Sequence, residues 1–266
     1  MPATKEKNLR SGDIAEQLGL VLLQSLVLTA PIPRTEDVGI DEVATLIKDY
    51  DSYNYLAEDS FFVQIKSSSI TEIRLDEKQT KWLNALELPF FVGQVDRKKS
   101  EISLFCAHRL SHALITNYER NELIIHLNDK NITDEIVEKD DVNVHIGPPI
   151  LKWDLNSLHE NAFLDRAYNI LKAHITIYKN NLETRRIGVA TLLNWKTNQN
   201  PKVYGQVSTS SKGGNKDLEE TYDLMMPYFV KWLGELLFAE DFSPANDILK
   251  LLEKAKKVIE ARKNNR

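Results

Sequence analysis

The 266-residue chain has a single cysteine, Cys106. A lone thiol cannot close an intrachain disulfide or supply a multi-cysteine zinc cage, so a reducing compartment is expected, without structural zinc of the thiolate type. Glycine (10) and proline (9) are both scarce, which argues against long flexible linkers and puts most of the chain in regular elements. No apolar run is long enough for a membrane. The most apolar stretch, Leu18 to Ile32, contains Gln24 and Ser25 and falls short of the ~20 residues a span needs. The opening Met1-Pro2-Ala3-Thr4-Lys5-Glu6-Lys7 has no apolar core or small-residue cleavage pattern directly behind it, so a secretory signal is a poor reading and the cytoplasm is expected. No GxxxxGK(S/T) occurs, which weighs against ATP hydrolysis by this chain. No internal repeat is visible either.

What is present is the balance of a globular protein, 42% hydrophobic and 27% charged, with a net charge of -5. The charge is unevenly spread. Residues 1–150 hold 16 Lys+Arg against 25 Asp+Glu, and residues 151–266 hold 18 against 14. A polyanion would therefore draw on the second half for attraction, while the acidic first half can still bind a divalent cation.

Helical spacing of Ile14, Leu18, Val21, Leu22 and Leu26 predicts a helix over 11–26, closed by Pro31 and Pro33. Residues 38–47 and 61–66 read as strands joined by a long polar loop, 80–88 as a short helix, and 90–95 and 102–107 as two more strands around a solvated turn. This order predicts an α/β fold, a mixed sheet flanked by helices. Beyond residue 155 the pattern turns mainly helical, with a strand pair at 187–195 and 202–209 and helices at 218–239 and 245–262. The expected organisation is an α/β domain over 1–150 and a mainly helical domain over 151–266.

The residues most able to carry chemistry lie in the first 66. Glu16 sits on the first helix, Gly39-Ile40-Asp41 on one strand, and Gln64-Ile65-Lys66 on the next. Alternation along a strand points Gln64 and Lys66 to one face. With Asp41 registered on that face, a carboxylate, an amide oxygen and an ammonium converge. A hard cation such as magnesium prefers oxygen ligands and keeps several waters, so Asp41 and the Gln64 carbonyl could hold it, with Lys66 beside it to orient the nucleophile or stabilise developing negative charge.

Gly12-Asp13-Ile14-Ala15-Glu16, Gly39-Ile40-Asp41 and Val63-Gln64-Ile65-Lys66-Ser67-Ser68 together resemble the PD-(D/E)XK nuclease superfamily, in particular its branch similar to Mrr-type restriction endonucleases and archaeal-type resolvases. The resemblance covers roughly residues 10–110. It implies a restriction-endonuclease-like fold and metal-dependent hydrolysis of DNA, with Mg2+ or Mn2+ held by Asp41, Gln64 and Glu16 and with Lys66 as the catalytic lysine. Similar small nuclease-like proteins serve in bacterial defence against phage. Two departures stand out: Gln64 replaces the commoner Glu, removing a negative charge from the cation site, and Ile40 precedes Asp41 where the Pro-Asp dipeptide would stand.

Each residue also has a plainer reading. Asp41 fits a strand end, Lys66 an edge-strand lysine that blocks aggregation, and Glu16 a helix surface. Asp37 suits a solvated turn as well as a metal site, and Ser67, Ser68 and Ser69 suit a turn as well as a phosphate contact. Cys106-x-His108 with His112 hints at zinc but lacks a fourth ligand. The Ser210–Lys216 loop, Arg185-Arg186 and the run from Lys254 to Lys263 are candidate DNA contacts or solvated surface. The aromatic segment 222–238 should be mostly core, with any surplus covered by a second copy or another protein. DNA, a homodimer formed through the carboxyl half and a separate helicase or ATPase are the expected partners. The rival to an active nuclease is a catalytically idle adaptor of the same fold.

Overall fold

A computed structural model of the chain describes residues 7–32, 39–51, 53–128, 137–208, 226–231, 233–235 and 242–263. It opens with helix α1 (Lys7–Gln24) and three strands, β1 (Val27–Pro31), β2 (Glu42–Asp49) and β3 (Tyr55–Ser67). After β4 (Glu72–Leu75), a reciprocal Asp76–Gln79 capping box starts α2 (Glu77–Ala85) by satisfying backbone donors at the helix entry. There follow β5 (Phe90–Asp96), β6 (Glu101–Cys106), α3 (Leu110–Thr116), β7 (Leu123–His126), β8 (Asn143–His145), β9 (Leu151–Asp154), α4 (Asn161–Thr184), β10 (Val189–Asn194) and β11 (Lys202–Ser208).

The main sheet has the order β1-β2-β3-β5-β6-β9. Its pairs are antiparallel except β3 with β5, and that parallel pair is closed by the crossover through β4 and α2. A three-stranded sheet β4-β7-β8 and the β10-β11 ladder complete this unit. The fold is α/β, as expected.

Alternation along the strands decides which helix covers which face. Val63 and Ile65 on β3 share a face with Phe91 and Val95 on β5. A Cβ on Gly19 of α1 would fall 2.9 Å from Ile65 and 3.0 Å from Val95, so glycine lets α1 lie close on this face. Trp153 Nε1 donates to the Leu22 carbonyl at 3.2 Å, tying the far strand to the same helix. Tyr178 of α4 lies on this face too, its ring centroid 6.4 Å from that of Phe91. On the opposite face Trp82 of α2 meets Phe90 edge-on at 6.3 Å.

Several elements differ from expectation. The prolines after α1 do not simply end it: Val27–Pro31 is an edge strand, which tolerates proline where an N–H would face outward. The strand expected over 38–47 begins only at Glu42, and β3 starts at Tyr55, so the β2–β3 loop is short. The domain limit falls elsewhere as well. Residues 1–185 and 189–209 form one compact unit, and 186–188 with 210–266 form another; β9, beyond residue 150, pairs with β6 in the main sheet. The second unit contains helical residues 226–231 and 233–235 and helix α5 (Phe242–Lys263), whose Ile248 and Leu252 are buried. Of the aromatic segment expected as core, Tyr228 is exposed and Met226 and Phe229 are half-buried; Tyr222, Trp232 and Phe238 lie outside the described residues.

His108, His112 and His174 are buried together in the first unit beside Trp195, with His108 ring centroids 6.0 Å from His112 and 6.5 Å from His174. Burial pushes His112 down to about 4 and His174 down to about 3, and lowers His108 strongly, with His112 and His174 adding to the effect. The folded state therefore binds fewer protons than the unfolded chain. This stabilisation is intact above the unfolded value of about 6.5 and is lost as pH falls toward 4. Urea titrations between pH 7 and 4 should show stability dropping with a slope approaching about 4 kcal/mol per pH unit from three such groups. His174→Leu should move the acid midpoint downward; an unmoved midpoint would contradict this role.

Candidate active site

Three backbone bonds or their side-chain equivalents fix Asp41. Its N–H donates to the Val63 carbonyl at 3.0 Å, and its own carbonyl accepts from Ile32 N–H at 2.9 Å. Its carboxylate Oδ2 accepts from Ile65 N–H at 2.5 Å, a short charge-assisted bond. Val63 and Ile65 flank Gln64, so Asp41 is held level with Gln64 along β3. Gly39 brings the chain to this point with φ +88°. A Cβ there would lie 3.7 Å from Gln64 Nε2 and 3.8 Å from Trp82, both ordinary contacts, so the left-handed backbone rather than crowding calls for glycine.

Gln64 is buried and Lys66 half-buried. The two side chains share the face covered by α2, and Lys66 pairs in register with Gln94 of β5. Among the described residues no acid forms an ion pair with Lys66. Glu16 is half-buried on α1, and that helix covers the other face. The structure thus places Asp41, Gln64 and Lys66 along one strand end, while Glu16 stands on α1, the helix that covers the other face.

Glu42 was not singled out in the sequence. It is 2% exposed, stands opposite Val63 on the α1 face, and its Oε2 has no hydrogen-bond partner among the described residues. Burial first, then the charges of Asp41 and Glu16, push its carboxyl up to about 7. Asp41 and Glu16 therefore both lie within electrostatic reach of Glu42. The available signal was the alternation Glu42-x-Ala44-x-Leu46, which puts an acid at the head of a buried apolar row.

No group of three or more His, Cys, Asp or Glu among the described residues is gathered to hold a metal ion. Magnesium, however, is commonly held through one or two carboxylates with the remaining positions taken by water. Asp41 with the Gln64 amide oxygen fits a site of that sparse kind.

Other candidates fall out differently. Arg185 is a structural residue: it is 7% exposed, and its Nη2 donates to the carbonyls of Asn84 at 2.6 Å and Leu86 at 2.9 Å, so it is committed away from phosphate. Ser67 Oγ sits 3.1 Å from Ser69 Oγ and accepts from Ser69 N–H, the turn reading. Cys106 is buried and its thiol is pushed up to about 12 by burial, which disfavours a thiolate ligand beside His108 and His112. Lys254, Lys256 and Lys257 are exposed on α5, while Lys250 pairs with Asp247 at 3.5 Å. Asp37 and the Ser210–Lys216 loop lie outside the described residues. No helix among the described residues is long and apolar enough to cross a membrane.

No protein-family model, no curated protein and no solved structure matches this chain.

Glu42 gives a direct test of the site's electrostatics. Its folded pKa lies above the unfolded value near 4.5, so the metal-free protein loses stability as pH rises from 4.5 through 7. Glu42→Gln, which mimics the neutral acid, should be more stable than the parent at pH 8 by about 3 kcal/mol, and by under about 1 kcal/mol at pH 5. Denaturant titration in a chelator measures both, and equal stabilities at pH 8 would show that Glu42 carries no such strain.

Proposed function

We propose that this chain is a magnesium- or manganese-dependent endonuclease that hydrolyses phosphodiester bonds in DNA. The observation that carries the reading is the pinning of Asp41 level with Gln64, with Lys66 two residues further along the same face. Asp41 and the Gln64 amide oxygen would hold the cation. When bound, the cation supplies positive charge to the scissile phosphate and makes water a stronger nucleophile near neutral pH.

The chain's own groups do the rest. The Ile65 N–H fixes the Asp41 carboxylate in one orientation, so its position is set before any ligand arrives. The Lys66 ammonium, with no acid paired to it among the described residues, can meet the phosphate oxygens and stabilise the negative charge that grows during in-line attack. Gln64 is neutral, and Glu42 and Glu16, both on the α1 side, would supply negative potential that Gln64 does not. A cation nearby favours the charged form of Glu42 and so offsets the cost of burying it.

Purified protein should relax and linearise supercoiled plasmid when Mg2+ or Mn2+ is added. Lys66→Ala and Asp41→Ala should each lower the rate by about a hundredfold or more while circular dichroism shows an intact fold. Full cleavage by both variants would remove the assignment.

A second reading keeps the fold and drops the chemistry: an idle nuclease-like adaptor that binds DNA or a separate helicase or ATPase. Two observations favour it, the neutral Gln64 and the lack of a gathered carboxylate trio among the described residues. Calorimetry separates the two. Manganese binding that disappears in Asp41→Ala supports the enzyme, and no binding at all supports the adaptor.

A further inference from the structure

We propose that the β5–β6 turn, residues 97–100, holds the phosphate backbone of duplex DNA beside the candidate site; the choice of DNA rests on the nuclease reading above. Arg97, Lys98 and Lys99 form the one run of three consecutive basic residues in the chain, and all three are exposed. β3 and β5 run parallel, so they end on the same side of the sheet, and Lys66 stands level with Gln94. Arg97 follows three residues later. At a rise of about 3.3 Å per residue the turn begins about 10 Å past Lys66 along the strands, and about 4.8 Å to one side of it. Each DNA strand carries a phosphate for about every 3.4 Å of helix axis, so that offset spans about three phosphates. With Lys66 at the phosphate to be cut, the turn reaches the flanking phosphates of the same stretch of backbone.

The turn is held in shape before any ligand arrives. Asp96 and Glu101 pair across it. Asp96 Oδ1 accepts from Lys98 N–H at 2.9 Å and from Lys99 N–H at 3.4 Å, the local bonding by which an aspartate fixes a turn. Its Oδ2 stands 4.0 Å from Lys99 Nζ. Glu101 is paired with Lys152 at 3.1 Å. Asp154, opposite Glu101 on β9, accepts from the N–H and the hydroxyl of Ser157, each at 2.9 Å. The acids around the turn thus have partners of their own, and among the described residues none forms an ion pair with Arg97 or Lys98.

The plainer explanations of such a run do not apply. Lysine often guards an open sheet edge against pairing, but β5 and β6 lie inside the sheet, between β3 and β9. Turn geometry calls for Asp, Asn or Gly, which Asp96 supplies; it does not call for three cations. Composition placed the attraction for a polyanion in the second half of the chain, whereas this turn sets three positive charges of the acidic first half at the site end of the sheet. Phosphate contacts fix the register of a protein on a duplex without reading its sequence, and a preformed turn loses little freedom in making them.

Fluorescence anisotropy on a labelled DNA duplex, in chelator so that no strand is cut, tests the turn apart from the chemistry. The logarithm of the association constant falls with that of salt concentration, with a slope of about -0.9 per phosphate neutralised. Arg97→Gln, Lys98→Gln and Lys99→Gln together should make the slope shallower by about 2 to 3. The same loss of charge on α5, from Lys254→Gln, Lys256→Gln and Lys257→Gln, should leave the parental slope. Should the triple turn variant fail to fold, Lys98→Gln alone should reduce the slope by about 1. A parent that binds through the turn yet cuts nothing when Mg2+ is added upholds this inference and removes the nuclease reading. No binding of the duplex by the parent, an unchanged slope in the folded turn variant, an equal loss of slope in the α5 variant, or turn-dependent binding of duplex RNA alone overturns it.

Discussion

Asp41 is bonded to two strands before its carboxylate meets any ligand. Its carbonyl holds the end of β1 through Ile32, its N–H holds Val63, and its carboxylate takes the Ile65 N–H. The first two bonds continue the β1–β2 and β2–β3 ladders past the point where regular pairing stops. The third uses a charged side chain where a carbonyl would otherwise accept, and a charge-assisted bond of this kind is about twice as strong as a neutral one. One residue therefore closes the sheet end and presents an acid there. Because both tasks use the same backbone, the acid's position is set by the sheet and not by a loop, the arrangement that keeps a site rigid. Gly39 follows from this: the chain must turn into β2 with a positive φ to deliver Asp41 at the level of Gln64.

The same placement forces an electrostatic conflict one residue later. Side chains alternate along a strand, so with Asp41 fixed at the strand entrance, Glu42 is driven to the face covered by α1. There it is 2% exposed, with Glu16 and Asp41 near enough to raise its pKa further. An alanine or leucine would suit that position better for stability alone, as Ala44 and Leu46 do on the same row. An acid kept where the fold is strained by it is a sign of function, since strain is tolerated where a ligand repays it. The histidines around Trp195 strain the fold in the opposite direction of pH, being held neutral by burial. The Glu42 loss accrues as pH rises from 4.5 through 7 and the histidine loss as pH falls below about 6.5, so the two oppose each other over the same weakly acidic range, where the three histidines give the steeper slope.

Much of this was legible in the residues. The helix carrying Glu16, the strands carrying Gln64 and Lys66, and the β5 and β6 pair all follow from apolar periodicity, because each buries one continuous face. What was missed has physical causes. β1 is five residues long with Pro31 in it, and edge strands of that kind lack the alternating pattern that half-buried strands show. β3 runs out to Tyr55 over exposed residues such as Tyr55 and Leu56, so no burial pattern marks its beginning. β9 comes after the expected boundary because only a tertiary pairing with β6 assigns it to the main sheet. Glu42 escaped because propensity and motif both treat an acid beside Asp41 as solvated, and only burial shows otherwise. Arg185 is the reverse case: a dibasic pair reads as a phosphate contact until its guanidinium is found capping the carbonyls at the end of α2.

Gln64 and Glu42 are then best considered together. In the proposed nuclease reading, Gln in place of Glu on β3 removes one negative charge, and a weaker hold on a divalent cation would follow from Coulomb's law. Glu42 restores a negative charge one residue from Asp41, but from the other face of the sheet and from a buried position. In a low-dielectric setting that charge acts at greater range than a solvated one. Its ionisation is held back to about pH 7 while no cation is near, so near neutrality a positive charge close by would favour the ionised form and raise the negative potential of the site. In the proposed cation-bound state, cation binding and proton release would be linked: a cation would meet the site with less charge than its sequence suggests, and Glu42 would supply the rest on binding.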